Sequence, residues 1–213
     1  MNKAQIFWDN QANKFDDSAK LFEPAYRELM ARTKEYLNAN DNVLDFGCAT
    51  GTYTLELADA VKHIHGLDFS AGMINEATKK KNTSNVKNAS FSQGTIFNDH
   101  LEKASFDKIL AYSIIHLLED SEKAIQRIHE LLKQGGLFIS STACFKDKMD
   151  FKTRLEFTTY RFMKRLGIFP LNLNMFKTSD VEQLINTQNF NIVKAEIFFF
   201  NGMTISFIVA EKH

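Results

Sequence analysis

The chain has 213 residues, in which 26 lysines and arginines balance 26 aspartates and glutamates, so its formal net charge is zero. No global field draws it to nucleic acid or to an acidic surface, and a neutral small molecule is the easier partner. Cys48 and Cys144 are the only cysteines, which excludes a disulfide framework, fits a reducing compartment and offers no metal-ligand spacing. Met1 to Phe15 holds no apolar core of signal-peptide length and no run approaches a membrane span, so a soluble cytoplasmic protein without stable membrane insertion is expected. Its length suits one domain. The expected parts are a helical cap over residues 1–40, a ligand-binding core over 41–142, a helical insertion over 143–178, and a final helix with a β-hairpin over 179–213.

In the cap, Phe22, Tyr26, Leu29, Met30, Thr33 and Leu37 recur at helical spacing, predicting a helix over about 21–37 with Pro24 in its first turn. Val43, Leu44 and Phe46 then form a short apolar run suited to a strand buried on both faces, and Gly47 and Gly51 punctuate a turn into a helix. A glycine lets the chain leave the strand in a conformation that side chains resist, and the small Ala49 and Gly51 let a ligand approach the main chain. Free amides at the helix start face such a ligand, and Asp45 stands at the carboxyl end of the strand. Alone, this pattern also fits an ordinary β–α turn. The next strand, ending in Asp68, falls close to the ~20-residue offset at which a carboxylate grips ribose hydroxyls. Ser70 is placed to cap the helix that follows, and Met73 to lie against a flat ring in its first turn. Lys79, Lys80 and Lys81, near the end of that helix, read as solvated charges complementing its dipole.

Further strands are predicted over 89–93, 106–112 and 137–142, and a helix over 120–133, with Ile125, Ile128, Leu131 and Leu132 on one stripe, stopping at Gly135-Gly136. At this point the chain resembles the class I S-adenosylmethionine-dependent methyltransferases. The likeness rests on Val43-Leu44-Asp45-Phe46-Gly47-Cys48-Ala49-Thr50-Gly51, on Gly66-Leu67-Asp68-Phe69-Ser70 with Met73, and on Phe106-Asp107-Lys108-Ile109 leading to Tyr112-Ser113-Ile114-Ile115-His116-Leu117. It ends with Leu131-Leu132-Lys133-Gln134-Gly135-Gly136-Leu137-Phe138-Ile139, and so spans roughly residues 40–142. The resemblance implies an α/β fold with a Rossmann-like, mostly parallel sheet of seven strands, helices on both faces and an antiparallel C-terminal strand. It implies S-adenosyl-L-methionine as cofactor, with Asp45, Gly47, Cys48, Ala49 and Gly51 beside its methionine part. Asp68 would hold the ribose, and Phe69, Met73, Gly94, Thr95 and Ile96 would surround the adenine, with Tyr112 and Ser113 lining the site. Ala49 stands where the family usually has glycine, and Thr95 where it often has aspartate. Phe7, Trp8, Phe15 and Asp16 are similar to aromatic-acidic pieces that precede the glycine loop in quinone-biosynthesis methyltransferases, where this segment closes the acceptor pocket; terminal aromatic packing is the alternative.

The C-terminal runs 190–200 and 203–210 are joined by Asn201-Gly202, the dipeptide suited to a two-residue hairpin. Hairpin partners are antiparallel, which disfavours an NAD-linked oxidoreductase with a parallel dinucleotide-binding sheet, as does Thr52 at the third glycine position. Between these regions, Phe151, Leu155, Thr159, Phe162, Leu166 and Phe169 share one helical face while Phe157, Tyr160 and Met163 lie off it. A lid contributing Phe157, Tyr160 or Met163 to the acceptor, a dimer contact, or a membrane-surface helix aided by Arg154, Arg161, Lys164 and Arg165 all fit. A box of Ser179-Asp180-Val181-Glu182 is expected to start the last helix. Transfer from a sulfonium needs alignment more than a strong catalytic group. If the acceptor is a hydroxyl or acidic carbon, His116 is the candidate base, a packing histidine being the alternative. The reading is therefore a methyltransferase acting on a small, partly apolar acceptor, with no metal, acting as monomer or homodimer. A binding module that has lost catalysis stays open beside it.

Overall fold

Strand order fixes where a ligand can sit. The structure, a computed structural model, describes residues 3–167 and 169–213. Strands β1 (Asn42–Phe46), β2 (His63–Asp68), β3 (Ala89–Gln93), β4 (Phe106–Tyr112), β5 (Leu132–Ala143), β6 (Phe190–Phe200) and β7 (Met203–Lys212) form one sheet of order β3-β2-β1-β4-β5-β7-β6. Contacts among β1 to β5 are parallel, and β7 runs antiparallel between β5 and β6. The chain moves outward from β1 to β3 and then returns to β4 beside β1, so the loops leaving β1 and β4 diverge and open a crevice at the carboxyl ends of the strands.

The helices are α1 (Lys3–Gln11), α2 (Phe15–Ala19), α3 (Glu23–Lys34), α4 (Thr52–Leu57), α5 (Ala71–Thr83), α6 (Ser121–Leu131), α7 (Phe151–Arg165) and α8 (Thr178–Asn186). Adjacent residues of the inner strands serve opposite faces. Leu44, Ile109 and Phe138 meet Ile125 and Ile128 of α6 and Val181 and Ile185 of α8, whereas Val43, Leu110 and Ile139 meet Leu29 and Met30 of α3 and Leu57 of α4. Both faces are thus covered, as an apolar run without alternation requires. No helix among the described residues is long and apolar enough to cross a membrane.

Four element boundaries depart from expectation. Helix α3 begins only at Glu23, with Pro24 in its first turn. Helix α6 stops at Leu131 because Leu132 is already extended and pairs with Phe106. Gly135-Gly136 therefore lies within the irregular start of β5, where Gly135 takes φ +71° and a Cβ on Gly136 would meet the Asp107 carbonyl oxygen at 3.0 Å. Helix α8 starts at Thr178, two residues early: Lys177 rather than Ser179 holds the cap position, with Asp180 accepting from the Lys177 amide at 2.9 Å. The hairpin agrees: Asn201 and Gly202 take φ +46° and +76°, and Phe200 pairs directly with Met203.

Helix α7 covers only the shorter of its two apolar stripes. Its longer apolar stripe faces outward, with Phe151, Leu155 and Phe162 exposed, while Thr153, Phe157, Tyr160 and Met163 turn inward. Sequence spacing identifies two stripes and not which of them the fold covers. The inner side chains match the aromatic surface left by Phe145 and Phe169, whose rings lie 4.1 Å from Phe157 and 4.5 Å from Tyr160.

Candidate active site

The loop after β1 uses backbone conformation rather than side chains. Gly47, Ala49 and Gly51 take φ of +78°, +48° and +72°. Only glycine adopts this region freely, so Ala49 holds a conformation costing roughly 1 kcal/mol. The glycines also solve packing problems. A Cβ on Gly47 would meet the Ile114 side chain at 3.0 Å, and one on Gly51 would meet the Phe91 ring at 2.6 Å and Ala77 at 2.9 Å. Gly51 therefore faces the layer between α4 and α5 and lines neither cavity described below, contrary to its expected contact with a ligand.

Asp68, at the end of β2, is buried, and its carboxylate accepts from the Ala49 amide at 3.1 Å and the Ser70 amide at 2.9 Å. Burial pushes its pKa up to about 6, against the opposing effect of those two amides. Asp45 is likewise raised to about 6 by burial, while the Thr54 hydroxyl donates to it at 2.5 Å. Ser70 caps α5 as expected, accepting from the Met73 amide at 3.1 Å. The Ser70 hydroxyl in turn donates to Asp9 at 2.6 Å, and the same Asp9 oxygen accepts from the Gly72 amide at 2.9 Å.

A cavity of about 380 Å³ opens over this loop. Asp68, Phe69, Met73, Gly94, Thr95 and Ile96 line one side, Gly47, Ala49, Tyr112 and Ser113 the floor, and Trp8 and Phe15 the cap. Pro170, Leu171 and Asn172 close the far side together with Leu117 and Leu118. A second cavity, of about 730 Å³, lies across the glycine loop and includes Asp45, Cys48, Thr50, Tyr26 and Tyr53. Phe15, Gly47, Ala49 and Tyr112 border both, so the loop is a partition reachable from either side. Tyr112 donates or accepts through its hydroxyl with Thr33 at 2.5 Å, and Tyr26 donates to the Ser113 hydroxyl at 3.2 Å. Ser113 itself sits at φ +53°.

The cap is fastened by carboxylates. Asp16 accepts from Thr50 at 2.6 Å and Thr52 at 3.3 Å and pairs with Lys80 at 2.5 Å. Burial works against its ionisation, yet the Lys80 and Thr50 hydrogen bonds outweigh it and hold the carboxyl below its usual range. Lys80 is thus not merely a solvated dipole partner.

The expected acceptor residues divide. Trp8 and Phe15 reach the cavity, whereas Phe157, Tyr160 and Met163 stand one layer behind it. Their rings support the segment that does reach it: Tyr160 donates to the Leu171 carbonyl at 3.1 Å, and Phe169 lies 5.4 Å from Phe7, which lies 5.2 Å from Trp8. His116 is not brought to either cavity. It is buried 5.5 Å from Phe145, with Nδ1 lacking a hydrogen-bond partner among the described residues, and burial lowers its pKa to about 4. The neighbouring Ile114 and Leu117 line the wall in its stead.

Sequence reasoning missed Asp9, Leu171, Asn172 and Asn174. Asn172 and Asn174 donate to the Leu118 carbonyl at 3.1 and 2.7 Å, and the Asn174 amide donates to the His116 carbonyl at 2.7 Å, tying the far wall to the turn after β4. Two asparagines in an otherwise apolar linker after Pro170 were the available signal.

The residues fit an adenosyl cofactor. A buried carboxylate of raised pKa, held by two amides and, among the described residues, without a cation, suits neutral hydroxyl donors, and Phe69, Met73 and Ile96 supply apolar surface for a purine. A family profile described as "Methyltransferase domain" matches residues 37–196. An uncharacterized methyltransferase of Geobacillus sp. (strain WCH70) is 26% identical over 207 residues, covering 94% of this chain and 89% of the relative. The crystal structure of YcgJ from Bacillus subtilis superposes with a TM-score of 0.71 at 17% identity, covering 88% of this chain and 99% of that one. Phosphoethanolamine N-methyltransferase 2 of Haemonchus contortus, solved in complex with S-adenosyl-L-methionine, gives 0.72 at 15% identity over 88% of this chain and 52% of that one. With the seven-stranded sheet, its antiparallel β7 and the Asp68 cradle, the match over residues 37–196 shows that the chain belongs to the class I S-adenosylmethionine-dependent methyltransferases.

Proposed function

We propose that the chain methylates a small, partly apolar molecule and that Asp68 anchors the cofactor while the cap and the 170–172 wall enclose the acceptor. The observation that carries this reading is the apolar make-up of the cap and far wall, where Trp8 and Phe15 join Ile114, Leu117, Leu118 and Leu171 around the cavity. S-adenosylmethionine, when bound, supplies a methyl group already activated on a sulfonium. Asp68 would accept from the vicinal ribose hydroxyls, each carboxylate oxygen keeping lone pairs beyond its amide bond. Phe69, Met73 and Ile96 would offer apolar surface to the purine, with Gly94 and Thr95 nearby. The backbone of Gly47, Cys48 and Ala49, beside Asp45, would border the amino-acid end of the cofactor, and Tyr112 and Ser113 would line the adjoining surface.

Positioning is the chain's main contribution. A cavity walled by packed aromatic rings limits the acceptor's orientations, which supplies the alignment that transfer requires. His116, buried and neutral behind the wall, serves as a packing group in this reading. The acceptor then presents its own lone pair without needing that histidine.

The test is transfer of labelled methyl from cofactor in cell extract, followed by separation into organic-soluble, aqueous small-molecule and macromolecular fractions. Label is expected in the organic-soluble fraction. Label in macromolecules contradicts the acceptor class, and cofactor binding without any transfer identifies a binding module instead.

A further inference from the structure

The outer face of α7 is the largest feature that the cavity does not explain. Phe151, Leu155, Phe162 and Leu166 share it and are 83%, 59%, 63% and 57% exposed. Burying no part of this stripe is costly in water, so something apolar covers it when the protein works. On one flank of the stripe stand Arg154, Arg161 and Arg165, all exposed, and among the described residues no carboxylate lies within ion-pair distance of them. Glu156, on the other flank, is matched by Lys152 at 4.0 Å. Lys164 belongs to the inner side, where it donates to Asn172 at 2.9 Å.

Its placement matters as much as its composition. The Asp150 amide donates to the Gly202 carbonyl at 2.8 Å, which anchors the start of α7 on the hairpin turn, and the residues after it run into the Pro170–Asn172 wall. The face therefore sits at the same end of the sheet as the mouth of the cavity. Lys148 lies 5.1 Å from the Phe199 ring, itself 47% exposed, so the pairing of apolar and cationic groups continues onto β6.

We propose that α7 docks this face onto a bilayer surface bearing anionic headgroups, the aromatic stripe entering the interface and the arginines meeting the headgroup charges. Charge selects this occupant over a second copy of the chain. A two-fold contact through this face would set the basic flank against itself or against the Lys152–Glu156 flank, and neither is net acidic. An aliphatic and aromatic stripe bordered by unpaired arginines matches an anionic interface in both respects. Docking would turn the cavity mouth toward the membrane, where an apolar acceptor resides.

The experiment is sedimentation of the full chain with vesicles of phosphatidylcholine alone and of phosphatidylcholine mixed with phosphatidylserine. Binding is expected to the mixed vesicles, weakening with salt. Replacing Arg154, Arg161 and Arg165 together by glutamine should lower that affinity about a hundredfold, since each basic side chain at such a surface contributes roughly fivefold. Phe151→Ser with Phe162→Ser should weaken it as well, and both variants change only exposed groups, so far-UV circular dichroism should match the parent. Equal binding to neutral and mixed vesicles, no binding to either, or an unaltered affinity in the arginine variant overturns the proposal. So does a dimer, seen by sedimentation velocity without vesicles, that the Phe151→Ser, Phe162→Ser variant dissolves.

Discussion

The two walls of the cavity are made by different means. On the cofactor side, β1, β2 and their loops place groups through local backbone: Gly47 and Ala49 at positive φ, Ser70 as a cap, Asp68 two residues before it. On the proposed acceptor side, no such local rule operates, and the lining residues Trp8 and Leu171 are backed by a relay of rings from Phe7 through Phe169 and Tyr160 to Phe157 and Phe145, joining parts of the chain more than a hundred residues apart. A wall built from backbone conformation tolerates little variation. A wall built from packed rings can be repacked, which is how one fold serves different acceptors.

That contrast is open to attack, and the strongest blow falls on the backbone side. Gly51→Ala adds a Cβ 2.6 Å from the Phe91 ring at a φ of +72°, and should cost about 2–4 kcal/mol in urea unfolding. A loss below about 1 kcal/mol would mean that the α4–α5 layer yields easily. Next comes pH. Hydroxyl donors favour ionised Asp68, whose carboxyl is held at about 6 in the free protein, so cofactor binding should release protons and tighten as pH rises toward 6. Affinity for S-adenosylhomocysteine should climb by up to about tenfold per unit below that point and level off above it. Asp68→Asn should flatten the profile; a flat profile in the parent would show that Asp68 meets no hydroxyl.

On the ring side, Phe157→Ala removes the partner 4.1 Å from Phe145 and should cost about 1–2 kcal/mol. Amide exchange at Asn174 should quicken while cofactor affinity changes by less than about threefold, because the damage stays on the acceptor wall. Equal loss of both would merge the two walls into one unit. The smallest effect expected is Ala49→Gly, which relieves the positive φ of +48° against a greater entropy in the unfolded chain, for a net change within about 1 kcal/mol of stability.

Legibility followed the same division. The glycines after β1 and Asn201-Gly202 hold positive φ that few residues adopt, while Asp68 and the Ser70 cap follow from their place at the end of β2 and the start of α5, so local sequence points to all of them. Outward and inward stripes of α7 have equally apolar composition, and what decides between them is the surface offered by Phe145 and Phe169, which no local pattern encodes. The choice between a base and a packing role for His116 was open for a related reason: in the one-turn Ile115–Leu117 helix, sequence proximity to the end of β4 does not say which of three successive side chains turns to the cavity. Asp9 and Lys80 act through tertiary hydrogen bonds to Ser70 and Asp16, and neither lies in a periodic pattern that would mark it.

The claim underlying the rest is that the Asp68 carboxylate grips the cofactor's ribose. Calorimetric titration of S-adenosylhomocysteine into the parent chain and into Asp68→Ala at pH 7 tests it directly. Two charge-assisted hydrogen bonds are at stake, each worth about 1.5–3 kcal/mol, so the variant should bind at least about a hundredfold more weakly while still unfolding cooperatively. Identical affinities in a folded variant would contradict the account.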